Sequence, residues 1–186
     1  KKQQMKIALV SLNQIWEDKK KNLILCEKYI ENASSQNLDL IIFPEMTLTG
    51  FSNNISFITE NFENSETIKQ FSNLAKEFNI SVIFGVVIED NKKALNKCLF
   101  IDNFGNVVSD YSKIHPFSFS GEDKYFNAGN KLSMVEFKNF KIGLTICYDL
   151  RFPELYSSLA KDCDLIINIA NWPSKRVDHW NTLLKA

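Results

Sequence analysis

The chain has 186 residues, 45% of them hydrophobic, and its 22 Lys+Arg are matched by 22 Asp+Glu. Nothing in that balance suggests electrostatic binding of nucleic acid or an anionic membrane, and no apolar run reaches the length of a membrane span. Cys26, Cys98, Cys147 and Cys163 lack CxxC spacing and a neighbouring histidine cluster. This argues against a zinc site or a disulfide framework and for the reducing cytoplasm.

Met5 to Leu12 reads as a strand, and residues 17 to 35 as a helix whose Leu23, Cys26, Ile30 and Ala33 share one face. Asp39 to Phe43 is a short apolar strand ending at Pro44-Glu45. Residues 54 to 63 carry no clear period. A second amphipathic helix is predicted over 65 to 78, with Ile68, Phe71, Leu74, Ala75 and Phe78 inward, then a buried strand from Ile80 to Ile88. Leu95 to Asp102 and Val107 to Ser112 form a hairpin around Phe104-Gly105-Asn106. Residues 114 to 130 make a loop too long for a plain connector. A second hairpin joins Leu132 to Phe137 with Lys141 to Cys147, followed by a helix of about ten residues from Phe152, a strand over Asp164 to Ala170 and a helix from Ser174. The pattern is that of an α/β layered protein with a mixed sheet, in one domain over residues 1–186. The final residues read as the middle of a helix with no stop signal, which suggests a domain incomplete at its C-terminal end.

The densest chemistry lies in Lys141 to Glu154, where the strand of Ile142, Leu144 and Ile146 stops at Cys147 and turns towards a helix at Phe152-Pro153. Proline suits the first helical turn, and Asp149 is placed to cap the amides before it. A thiol at such a corner meets converging backbone N–H groups, which favour a thiolate and any oxyanion beside it. Two further strand ends carry polar residues, Glu45 and Lys113. Side chains at the carboxyl ends of strands in layered α/β folds converge on one crevice. Taken singly, each has a plain structural explanation: a turn cap, a solvated strand end, a buried filler. Their joint occurrence points to chemistry.

Phe43-Pro44-Glu45-Met46, Tyr111 to Phe117 and Gly143 to Glu154 together resemble the three signatures of the nitrilase superfamily of carbon–nitrogen hydrolases. Phe117 to Glu122, Tyr125 to Asn130, Ala170 to Pro173, Arg176 and His179-Trp180 are similar to its omega-amidase-like branch, which hydrolyses the terminal amide of acids such as 2-oxoglutaramate. The resemblance implies an α-β-β-α four-layer sandwich, usually a homodimer, acting on a small-molecule amide with no metal or organic cofactor. It also implies further sequence beyond Ala186.

By the same resemblance Cys147 is the nucleophile and Glu45 the general base. Lys113 binds the oxyanion with the Tyr148 backbone N–H, and Glu122 positions substrate and Lys113. For an acidic substrate the chain's two arginines are the candidates for its carboxylate. Arg176 is the expected substrate ligand, whereas Arg151 is expected to bond neighbouring chain or a dimer partner. Asn171, Trp172, Phe117 and Phe119 are expected to wall the pocket. His115 and His179 are expected to be structural, because Glu45 and Lys113 already perform the tasks of a catalytic histidine. Three rival readings stand beside this one: an N-carbamoyl or other amide hydrolase with the same triad, an inactive truncated α/β module for binding or dimerisation, and a redox-sensing protein resolving through Cys163.

Overall fold

A computed structural model describes residues 4–186. The strands form two sheets, as the four-layer sandwich implied by the resemblance requires. Five strands, β1 (Ile7–Leu9), β2 (Leu40–Ile42), β3 (Ser81–Asp90), β4 (Lys93–Ile101) and β5 (Val107–Ser112), lie side by side in chain order. The first three are mutually parallel, and β4 is antiparallel to both neighbours. The strands β1, β2, β3 and β5 therefore all deliver their carboxyl ends to one side. A second sheet holds β6 (Met134–Phe137), β7 (Phe140–Ile146) and β8 (Leu165–Ile169), with β6 antiparallel and β8 parallel to β7.

Period-two alternation assigns each strand residue to one of two cores. On β3, Val82, Phe84, Val86 and Ile88 pack against α1 (Lys19–Ser35) and α3 (Glu66–Glu77), through Cys26, Ile30, Phe71 and Leu74. Ile83 faces the other way, joining Leu40, Ile42, Phe100 and Tyr111 of the first sheet and Ile142, Leu144 and Ile146 of the second. Beyond the second sheet lies α5 (Pro153–Leu159), whose Leu159 sits 3.2 Å from where a Cβ on Gly143 would be. The result is helix, sheet, sheet, helix. Burial pushes the Cys26 thiol up to about 12, as suits an inert core residue.

Local chemistry sets the helix starts. The Asp18 side chain accepts from Lys21 N–H at the head of α1, and Ser65 accepts from Ile68 N–H at the head of α3. The unperiodic stretch contains a single turn, α2 (Ile55–Ile58), and then Glu60, which bridges to Ile88. The long loop from 114 holds a 3-10 turn and α4 (Glu122–Tyr125). The helix expected from Phe152 begins at Pro153, after a 3-10 turn over Cys147–Arg151, and covers only seven residues because the chain turns from Ala160 towards β8. Asp149 does not cap α5. Its buried carboxylate accepts instead from Ile146 N–H, Tyr111 O–H and His115 N–H. The chain ends in α6 (Val177–Leu183) after a further 3-10 turn. Among the described residues no helix is long and apolar enough to cross a membrane.

Candidate active site

Glu45 follows β2, Lys113 follows β5 and Cys147 follows β7, and parallel strand direction brings all three to one crevice. Lys113 is the hub. Its Nζ donates to Glu45 Oε1 at 2.9 Å and to Glu122 Oε2 at 2.9 Å, with Glu122 Oε1 at 3.2 Å. Glu45 and Glu122 are wholly buried and Lys113 is 1% exposed, so Glu122 is no solvated loop residue. Burial alone would push the ammonium towards neutrality, but the Glu45 and Glu122 charges outweigh it and hold Lys113 well above its ordinary value.

The hydrogen bonds divide the two carboxylates. Glu122 Oε1 accepts from Asn96 and Lys113, and its Oε2 accepts from Lys113 and Phe117 N–H. Glu45 Oε1 accepts from Asn96 and Lys113, whereas among the described residues the N–H given to Oε2 is that of Asn171, at 2.9 Å. A carboxylate oxygen has two acceptor directions, so Glu45 Oε2 is the atom with capacity left for the neighbouring thiol. Glu122 has none to spare.

Cys147 is 7% exposed, with φ of 48°. Burial first, then the Glu45 charge, pushes the thiol well above its ordinary value, while Lys113 acts in the opposite sense. That direction suits a thiol that gives its proton to a neighbouring base. The Cys147 N–H is not directed at a substrate, since Asn168 Oδ1 accepts it at 3.0 Å. Tyr148 is the second residue of the 3-10 turn, where N–H groups have no intrahelical acceptor.

A cavity of about 360 Å³ opens onto Cys147 and Lys113. Phe51, Phe117, Tyr148, Trp172 and both arginines line it. Arg176 lies over the rings of Phe117 and Phe119, at 5.5 and 4.8 Å. Arg151 bonds neighbouring chain as expected, its guanidinium 2.8 Å from His179 Nδ1, and it also stands in the pocket wall, 5.4 Å from the Trp172 ring. Its place in the turn just after Cys147 fixes it there. Asn171 lines the pocket as expected, and its side-chain amide also donates to the Glu45 carbonyl at 2.5 Å, holding the base. Trp172 is fixed by its indole N–H to the Arg176 carbonyl. His115 stacks on Phe152 at 3.5 Å and bonds Asp149 through Nδ1, away from the thiol.

Sequence reasoning missed Asn96, Gln14 and Gly85. Asn96 donates one N–H to each carboxylate, leaving its buried Oδ1 without a partner. Gln14 Nε2 donates to the carbonyls of Glu45, Met46 and Thr47. A Cβ at Gly85 would lie 2.3 Å from Met46 N and 2.9 Å from the Glu45 carbonyl carbon, so only glycine admits this loop. Only Gly85 carried a signal, as an isolated glycine within a strand.

Residues 6–186 match the carbon-nitrogen hydrolase family along almost the whole chain. The chain belongs to that family. It is 33% identical to the omega-amidase YafV of Yersinia enterocolitica, over 98% of this chain and 69% of that relative. It is 29% identical to the 2-oxoglutaramate amidase of Bacillus subtilis, over 89% of this chain and 64% of that relative. Among solved structures, XC1258 of Xanthomonas campestris, a CN-hydrolase superfamily protein with an arsenic adduct in its active site, superposes with a TM-score of 0.88. That match has 30% identity and covers 97% of this chain and 70% of the other. Within the carbon-nitrogen hydrolases the chain stands in the omega-amidase-like branch.

Proposed function

We propose that this carbon-nitrogen hydrolase is an amidase that converts the terminal carboxamide of a small acidic molecule to carboxylate and ammonia through a thioester on Cys147. The observation that carries the reading is the buried Glu45–Lys113–Glu122 cluster beside the Cys147 thiol, which burial and the Glu45 charge push above its ordinary value. Glu45 Oε2 takes the thiol proton as Sγ attacks the amide carbon. Lys113 and the Tyr148 N–H stabilise the oxyanion of the tetrahedral adduct. Collapse breaks the C–N bond, Glu45 delivers its proton to the departing nitrogen, and ammonia leaves. Water then adds to the thioester with Glu45 again as base, and the proton returns to Sγ as the carboxylate is released. Glu122, with every acceptor direction occupied, holds Lys113 and takes no proton.

Arg176, stacked on Phe117 and Phe119 at the pocket rim, is the ligand for the substrate's carboxylate, and the aromatic wall favours a short acyl chain. Support for an omega-amide acid comes from the 2-oxoglutaramate amidase and omega-amidase relatives. Four free cysteines suit a reducing cytoplasm, and a homodimer with no nucleic-acid or membrane partner completes the reading. Ammonia release from 2-oxoglutaramate, set against neutral amides and N-carbamoyl compounds, tests it. Faster turnover of a neutral amide or a carbamoyl compound overturns the substrate class.

A further inference from the structure

Beneath Cys147 lies a hydrogen-bonded group that the reaction does not consume. Thr145 Oγ1 donates to the Ile167 carbonyl at 3.0 Å, which commits its only proton. Tyr156 Oη, 3.0 Å from the same oxygen, must then be the donor of that pair. With both hydroxyl protons placed, Thr145 Oγ1 and Tyr156 Oη present only lone pairs to Asn168. Its Nδ2 donates to them at 3.1 and 2.8 Å. The amide therefore has one allowed orientation, with Oδ1 turned towards Cys147 N–H at 3.0 Å. Every hydrogen in the chain from the Ile167 carbonyl to the nucleophile is accounted for.

What this chain holds is costly to hold. Cys147 has φ of 48°, the left-handed region that a side chain bearing a Cβ rarely occupies. A residue released from such a conformation swings its side chain to a different direction, and here that would carry Sγ away from Glu45 and Lys113. We propose that Asn168, oriented by Tyr156 and Thr145, is a positioning residue that latches the nucleophile in its left-handed conformation. It also turns the Cys147 N–H into the sheet, leaving Lys113 and the Tyr148 N–H as the oxyanion donors. The inference rests on Cys147 being the nucleophile of an amidase.

The test compares Asn168→Leu, Asn168→Asp, Tyr156→Phe and the Leu/Phe double variant with wild-type enzyme. Hydrogen exchange at the Cys147 amide reads the latch, and single-turnover acylation by 2-oxoglutaramate reads its consequence. Asn168→Leu should lose Cys147 amide protection and lower the acylation rate about 10²-fold, the cost of roughly 1 Å of misplacement, with KM little changed. Asn168→Asp keeps the acceptor for Cys147 N–H, with the Tyr156 O–H free to turn from Thr145 to the new carboxylate oxygen, and should regain part of the rate at its own pH optimum. Tyr156→Phe should lose less, and the double variant no more than Asn168→Leu alone, because both act through one latch. Should Asn168→Leu fold poorly, Tyr156→Phe and Asn168→Asp carry the same comparison. Unchanged Cys147 protection in Asn168→Leu overturns the latch, as does an equal loss in the Leu and Asp variants or additive loss in the double variant. Absent ammonia release from wild type, with Cys147 protection intact, would count against the amidase reading and leave the latch standing.

Discussion

The Asn171 backbone N–H lies 2.9 Å from Glu45 Oε2, joining loops 126 positions apart in the chain. That one contact, with the Asn171 side chain on the Glu45 carbonyl, aims the base. It leaves Oε1 to Lys113 and Asn96 and presents Oε2 to the thiol.

Glu45→Gln keeps the shape of the side chain but removes the base and sets an N–H against that of Asn171. Amide hydrolysis should fall by roughly 10²- to 10⁴-fold. Alkylation by iodoacetamide should move the other way. The Glu45 charge raises the Cys147 thiol and Lys113 lowers it, so losing the carboxylate lets the apparent pKa fall. A pH series of alkylation rates checks this. An unchanged alkylation profile would mean that Glu45 does not face the thiol.

Gly85→Ala tests the close approach that seats the Glu45 loop. The added methyl would stand 2.3 Å from Met46 N, a backbone atom that cannot swing aside. Overpacking of this kind costs about 1–3 kcal/mol, and displacement of Glu45 should lower kcat/KM about 10²-fold. Urea unfolding and steady-state kinetics on the same preparation measure both effects.

The two arginines should separate by substrate. Arg176→Ala should raise KM for an acidic amide at least about tenfold and leave a neutral amide nearly unchanged, as loss of a charge-assisted contact requires. Arg151→Ala removes a guanidinium already bonded to His179, so it should affect both substrates to similar extents. Equal effects of Arg176→Ala on the two amides would take the substrate carboxylate away from this residue.

Glu60 ties α1 to α3 and offers a pH prediction far from the site. Burial would raise its carboxyl, but the Lys19 ammonium and the Ser65 and Thr67 hydroxyls outweigh that and hold it below its ordinary value. A carboxyl lowered in the folded state contributes stability above its unfolded pKa of about 4.3 and loses it as pH falls through the folded value. Glu60→Gln should thus lower Tm at pH 7, with the gap to wild type closing below about pH 4. A gap that stayed constant across this range would remove the charge from the explanation.

The strands and helices were legible where period and burial coincide. The turns of α1 and α3, the hairpin of β4 with β5 and the corner at Cys147 all stand where their patterns put them. Glu45, Lys113 and Cys147 were legible because each ends a strand, and strand direction does the rest. What the sequence withheld depends on contacts between distant residues. Asn96 is an ordinary strand residue until Glu45 and Glu122 meet across it. Asp149 looked like a helix cap only because Tyr111 and His115, 38 and 34 positions earlier, were not yet beside it. The split into two sheets was equally hidden to the residues alone, since β6 to β8 carry the same alternation whichever sheet they join.

The most direct test is mass spectrometry of the enzyme quenched during turnover of 2-oxoglutaramate, run beside Cys147→Ala with ammonia release measured in parallel. An acyl adduct on Cys147 in wild type, with adduct and ammonia both absent from the variant, is the predicted result. Ammonia release that persists in Cys147→Ala, or turnover by wild type with no adduct on Cys147 under any quench, would contradict a thioester mechanism at this site.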